Sequence, residues 1–181
     1  MGHAPRMVVH ADEACLGNGR EGSNPGGAGG MVEIADDGGV RRRDYFVSEP
    51  ATTNNKMALR SAITALELLG ATGRQRLEFV SDSTYLVKGA KEWLPRWRAR
   101  GWRRKEGELQ NVELWQRLAE LIDANDVTWK WVRGHADNPR NAYADHLATS
   151  AARDQTASGG LIESNYETWL AAEQAKGNFT A

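Results

Sequence analysis

From Thr52 onward the apolar residues change their period, and this change limits the architecture more than any other feature. Before it lie three β-branched or alternating runs, MVVHAD (Met7 to Asp12), GMVEIA (Gly30 to Ala35) and VRRRDYFV (Val40 to Val47). DDGG between the last two is a hairpin turn, so the three predict an antiparallel meander. After Thr52 and Thr53, with Asn54 offering a cap, Ala58, Ala62, Ala65, Leu66 and Leu69 recur at helical spacing, and Gly70 and Gly73 close the helix. Strand and helix patterns then alternate. LEFVSDS (Leu77 to Ser83) is a strand, a helix covers 84–90, VELWQRLAELI (Val112 to Ile122) is a second helix, VTWKWV (Val127 to Val132) a strand, and AYADHLATSAA a last helix. The order β-β-β-α-β-α-α-β-α predicts an α/β fold. Its five-stranded mixed sheet combines the meander with two parallel strands joined by right-handed crossovers, and helices cover both faces.

A chain of 181 residues suits one domain and a tail. The domain is expected over 1–153, followed by an extension over 154–181 in which 154–164 read as a linker and NYETWLAAEQAK as a short helix. The single cysteine, Cys15, excludes an internal disulfide framework and suits a reducing compartment. No apolar run is long enough to span a bilayer and the N-terminus lacks a signal-peptide core, so a cytoplasmic monomer is expected. GNGREGSNPGG is glycine-rich but lacks the Lys-Ser/Thr ending of a phosphate-binding loop, which excludes nucleoside triphosphate binding of that kind.

Asp12 and Asp82 stand at strand ends, and Asp145 is expected in the first turn of the last helix. In α/β sheets functional groups gather at the carboxyl ends of parallel strands. Three aspartates brought together repel one another and require a cation, and hard oxygen ligands select Mg²⁺ or Mn²⁺. Such a cluster suits two-metal phosphodiester hydrolysis. Taken singly, each aspartate also fits a turn or cap.

HADEACLGNG, PGGAGG, TTNNKM, SDSTYLVKGA and RGHADNPRNAYADHLA, in that order, resemble the type 1 ribonuclease H family over residues 7–153. The resemblance implies a ribonuclease H-like fold and a metal-dependent endonuclease acting on the RNA strand of an RNA–DNA hybrid. It implies Asp12, Asp82 and Asp145 as metal ligands, with His135 assisting proton transfer or product release. It further implies that Cys15, Asn18, Thr53, Asn54 and Asn55 line the nucleic-acid groove.

The chain departs from the family pattern twice. The glutamate that follows the methionine of NNKM is here Ala58, and the glycine that follows the first aspartate is Glu13. Strand alternation turns Glu13 away from the side of Asp12, as a surface or supporting carboxylate, unless a bulge or an early strand end re-aims it, in which case it substitutes for the missing carboxylate. With one carboxylate missing, hydrolysis in Mg²⁺ is expected to be impaired or altered. An inactive hybrid-binding protein of the same fold is the alternative.

Residues 88–105, KGAKEWLPRWRARGWRRK, hold eight Lys or Arg against one Glu, leaving the rest of the chain net acidic. A block of this density tracks a phosphate backbone. By resemblance to the family's basic protrusion, Lys91, Trp97, Arg98, Arg100, Trp102 and Arg103 contact the hybrid. Trp93 and Trp97, four residues apart, also fit core packing, and Trp115, Trp129 and Trp131 read as core or half-buried residues. His10 reads as structural and His146 as a surface residue.

Overall fold

A computed structural model describes residues 4–17, 24–103, 109–134 and 137–180. β1 (Arg6–Cys15), β2 (Asn24–Asp36) and β3 (Gly39–Thr52) form the expected meander. The hairpin between β2 and β3 turns at Asp37 and Gly38, where the Gly38 N–H donates to Asp36 Oδ1 at 2.8 Å. β4 (Arg76–Ser81) lies parallel to β1, and β5 (Asp126–Trp131) parallel to β4.

Among the described residues the sheet has six strands, not five, in the order β5-β4-β1-β2-β3-β6. The sixth, β6 (Ile162–Glu163), comes from the stretch expected to be a linker and pairs antiparallel with Arg43 and Asp44 of β3. Ser158 extends the same edge: its N–H donates to the Phe46 carbonyl at 2.9 Å, and its hydroxyl accepts from the Phe46 N–H at 3.0 Å. Two residues carry no readable period, so the sequence pattern held no sign of this strand.

On one face sit α1 (Asn54–Leu69), the short α2 (Thr84–Lys88) and α3 (Leu94–Ala99), and α4 (Val112–Asp123). Thr53 rather than Asn54 caps α1: its backbone is extended and its hydroxyl accepts from the Lys56 N–H at 3.2 Å. A π-helical turn, Gly89–Trp93, joins α2 to α3. A Cβ on Gly89 would lie 2.2 Å from the Trp115 ring, so the glycine admits that indole into the core. Trp115 is fully buried, which contributes about 3 kcal/mol of apolar transfer free energy. Its Nε1 donates to the Tyr85 hydroxyl at 2.9 Å.

The other face carries α5 (Pro139–Asp154) and α6 (Tyr166–Ala175). Asn138 caps α5 by accepting from the Asn141 N–H, and Pro139 opens its first turn. The helix thus begins three residues before Ala142, the start expected from its apolar pattern. Asp145 falls in the second turn instead of the first. Gly27 and Gly29 let α5 approach the sheet, since a Cβ on Gly27 would stand 2.1 Å from the Ala148 carbonyl oxygen.

The tail is bound to this face. Tyr143 of α5 packs with Met31, Tyr166 and Trp169. Its hydroxyl donates to Asp44 Oδ2 and accepts from the Asn165 N–H at 3.1 Å. Glu33 fastens the same layer: His10 contacts its carboxylate at 2.9 Å, Arg42 at 2.9 Å and Arg140 at 2.6 Å. Burial alone would raise the Glu33 carboxyl, but these three partners hold it well below the usual carboxylate range. His10 is therefore structural, as expected.

Candidate active site

Asp12 follows the last paired position of β1 against β4, Ala11 with Ser81, and Asp82 follows the end of β4. Both carboxylates thus stand in the notch where two parallel strands part, the position such sheets favour for ligands. Asp12 is 7% exposed, and its Oδ1 accepts from the Glu13 N–H at 2.8 Å. Trp131 Nε1 donates to the Asp82 backbone carbonyl at 3.0 Å, and Gly134 leaves room for the Asp82 carboxylate, since an added Cβ there would stand 2.5 Å from Oδ2. Trp131 is 48% exposed, at the half-buried end of what was expected for it, because β5 is an edge strand.

Glu13 is brought into the same notch. Asp12, Glu13 and Asp82 each offer a carboxylate oxygen within 4.8 Å of the other two. No bulge intervenes, for the register runs unbroken from Asp12 opposite Gly29 to Glu13 opposite Ala28. Alternation places Glu13 on the face of Val9 and Ala11, which pack with α1 and include Ala58 in their cluster. The expectation that Glu13 turns away from Asp12 holds for the backbone and fails for the carboxylate. Beyond Ala11 β1 keeps β2 on one side but has lost β4 on the other, the early end on that side that the sequence allowed for, and the longer glutamate side chain reaches across the open side. Ala58, 1% exposed, lies on this same face.

Asp145 stands on the exposed rim of α5 and accepts a 3.5 Å hydrogen bond from the Thr149 hydroxyl. It lies outside the tight trio but within its electrostatic reach. Burial, and then the charges of Glu13 and Asp82, raise the Asp12 carboxyl to about 9. Burial, and then Asp82 and Asp145, raise Glu13 to about 8. Partial burial, with a smaller contribution from Asp82, also moves Asp145 upward. Crowded, desolvated carboxylates of this kind fit a divalent cation, which supplies the positive charge that relieves their mutual repulsion.

Cys15, Thr53, Asn54 and Asn55 gather beside this notch, around the start of α1. The Cys15 thiol contacts the Thr52 carbonyl at 3.5 Å, and burial raises its pKa. The basic stretch leaves α3 through Gly101 and Trp102, both with left-handed backbones. Lys91, Arg100 and Arg103 are exposed. Trp97 is half-buried against Trp115, with ring centroids 5.2 Å apart, and Trp102 packs on the same core. Arg98 is tied to α4 through Asp123 at 2.9 Å and the Ala119 carbonyl at 2.8 Å. Asn18 and His135 lie outside the described residues. His146 is exposed, as expected, yet it borders the cleft together with Asn141, Thr149 and Ser150. Their spacing along α5 was the one sequence signal that they share a face with Asp145.

The family model for RNase H matches residues 4–153. The chain belongs to the RNase H family. The ribonuclease HI of Caulobacter vibrioides is 39% identical over 150 residues, 82% of this chain and 94% of that protein. The ribonuclease H of Thiobacillus denitrificans is 43% identical over 143 residues, 78% of this chain and 90% of its own length. Among solved structures, LC9-RNase H1 is described as a type 1 RNase H with the type 2 active-site motif. It superposes with a TM-score of 0.91 at 50% identity, covering 99% of this chain and 87% of that one. As members of this RNase H family, such chains are hydrolases of RNA in RNA–DNA hybrids. Among the described residues no helix is long and apolar enough to cross a membrane.

Proposed function

We propose that this chain hydrolyses the RNA strand of RNA–DNA hybrids by a two-metal mechanism, with Asp12, Glu13, Asp82 and Asp145 as its carboxylate set. The observation that carries this reading is the convergence of the Asp12, Glu13 and Asp82 oxygens within 4.8 Å. Glu13 arrives from the α1 face, where Ala58 offers no carboxylate, and so takes over that role. The description of LC9-RNase H1, a type 1 protein with the type 2 motif, supports a carboxylate set that differs from the usual type 1 pattern. Mg²⁺ or Mn²⁺ bound here would supply Lewis acidity at the scissile phosphate.

The residues of the chain divide the remaining work. Asp12 and Asp82 fix the centre on the rigid strand ends. Glu13 sets its α1 side, and Asp145 closes it from α5. His135 moves the proton to the departing oxygen, the role implied by the family. Cys15, Asn18, Thr53, Asn54 and Asn55 hold the RNA strand in the groove. Lys91, Arg100 and Arg103 hold phosphates of the hybrid, while Trp97 and Trp102 set the shape of the protrusion that carries them.

Cleavage of a labelled hybrid tests this directly, using the parent, Glu13→Gln and Ala58→Glu, each in Mg²⁺ and in Mn²⁺. Loss of a ligand exceeds the effect of disturbing a residue behind it, so Glu13→Gln should fall by at least about 100-fold. The parent should cleave in Mg²⁺ at least as fast as Ala58→Glu. Full activity in Glu13→Gln would remove Glu13 from the set. Tight hybrid binding without cleavage in either metal would instead make this a hybrid-binding protein.

A further inference from the structure

The cleft that begins at Asp12, Asp82 and Asp145 does not end at the family-matched domain. About 730 Å³ in all, it runs along α5 and closes against the C-terminal tail. Thr149, Ser150 and Arg153 line one wall; Trp169, Asn178 and Phe179 line the other. The tail wall is firmly built. Trp169 rests on Tyr143 at 5.2 Å between ring centroids, and Phe179 lies 5.8 Å from Trp169. Phe179 also has a left-handed backbone, φ 54°, uncommon for a residue with a side chain and typical of functional sites. The turn that presents it is tied by Asn178 to Glu173 at 2.8 Å and by Lys176 to the same carboxylate at 3.0 Å. Glu173 lines the same wall as a carboxylate whose charge the Lys176 ammonium offsets.

Each wall has a distinct chemistry. Half-buried aromatic rings stack on a base, hydroxyls match a ribose 2′-hydroxyl, and a guanidinium matches a phosphate. Arg153 spends Nε and Nη2 on the neighbouring Asp154 and keeps Nη1. A base inside a duplex already has neighbours above and below, so a ring platform beside the reaction centre suits an unpaired one.

We propose that α5 and the tail form a subsite for an unpaired ribonucleotide of the RNA strand, where it leaves the hybrid next to the scissile bond. The subsite rests on the ribonuclease H reading given above. It makes junctions between hybrid and single-stranded RNA the favoured substrates.

The test compares kcat/KM on a blunt hybrid, on the same hybrid with a 5′ or a 3′ RNA overhang, and on matching DNA overhangs. One RNA overhang should improve kcat/KM about tenfold through KM, the size of a single base–aromatic stack. The DNA overhang should gain less. In Phe179→Ala the overhang-to-blunt ratio should fall toward one, and Arg153→Ala, on the outer face of its helix, should reduce it separately. Absence of an overhang advantage in the parent, or an advantage surviving both substitutions, would overturn the subsite. Failure to cleave the blunt hybrid would remove the ribonuclease H reading, and the subsite with it.

Discussion

At neutral pH and without a cation, Asp12 near 9 and Glu13 near 8 both hold their protons, although such carboxyls ordinarily titrate at 3.8 and 4.5. A cation bound between them must displace these protons, because only the carboxylates coordinate. At pH 7 each binding event should therefore release about two protons. The sign follows from the direction of the shifts. A raised acid keeps its proton at low pH, so affinity rises with pH, by about two decades per unit below 7.5, and levels off above 9. The cation-free fold also binds more protons than the unfolded chain between roughly pH 4 and 9, so its stability falls as pH rises through that window and added cation restores it. Calorimetric titration with Mg²⁺ or Mn²⁺ at pH 6, 7 and 8, in two buffers of different ionisation enthalpy, counts the protons. Glu13→Gln should lower the count at pH 7 to about one. A count near zero in the parent would mean that the carboxylates are ionised before the cation arrives, and the electrostatic account of the site would fail.

Two further substitutions follow from close contacts. Gly134→Ala would place a Cβ 2.5 Å from Asp82 Oδ2, so the carboxylate must shift; the Mg²⁺ concentration for half-maximal cleavage should rise several-fold while the melting temperature changes little. Tyr143→Phe removes the hydroxyl that serves Asp44 Oδ2 and the Asn165 N–H; Asp44 Oδ1 already lacks a partner, so a loss of about 2 kcal/mol is expected, read as a fall of about 4–8 °C in melting temperature.

The fold was readable wherever one period ran long enough to count. DDGG marked the β2–β3 hairpin, and the apolar spacing from Ala58 to Leu69 marked α1. The start of α5 was misplaced because its signal is chemical, an Asn-Pro pair, and not periodic. Alternation identified the face of Trp131 but not how far anything covers it, and at the sheet edge it stays half-exposed. Alternation assigned Glu13 its face but left open whether its carboxylate turns back: a period of two describes positions flanked by strands on both sides, and Glu13 lies just past the point where β4 ends. Strand ends singled out Asp12 and Asp82, and the last helix with the family resemblance added Asp145. The tail wall was not, because Trp169 and Phe179 gain their meaning only from the cleft opposite them.

The contact of the tail with β3 has a consequence unrelated to catalysis. β3 is 14 residues long and would otherwise present its outer row of N–H and carbonyl groups to any strand in solution. β6 and Ser158 occupy that row at Arg43, Asp44 and Phe46, and the arginines at 41–43 put charge along it. A chain cut after Asp154 would keep every carboxylate of the reaction centre but uncover a templating edge. Self-association through β3 would then set the limit on how concentrated such a shortened protein could be kept.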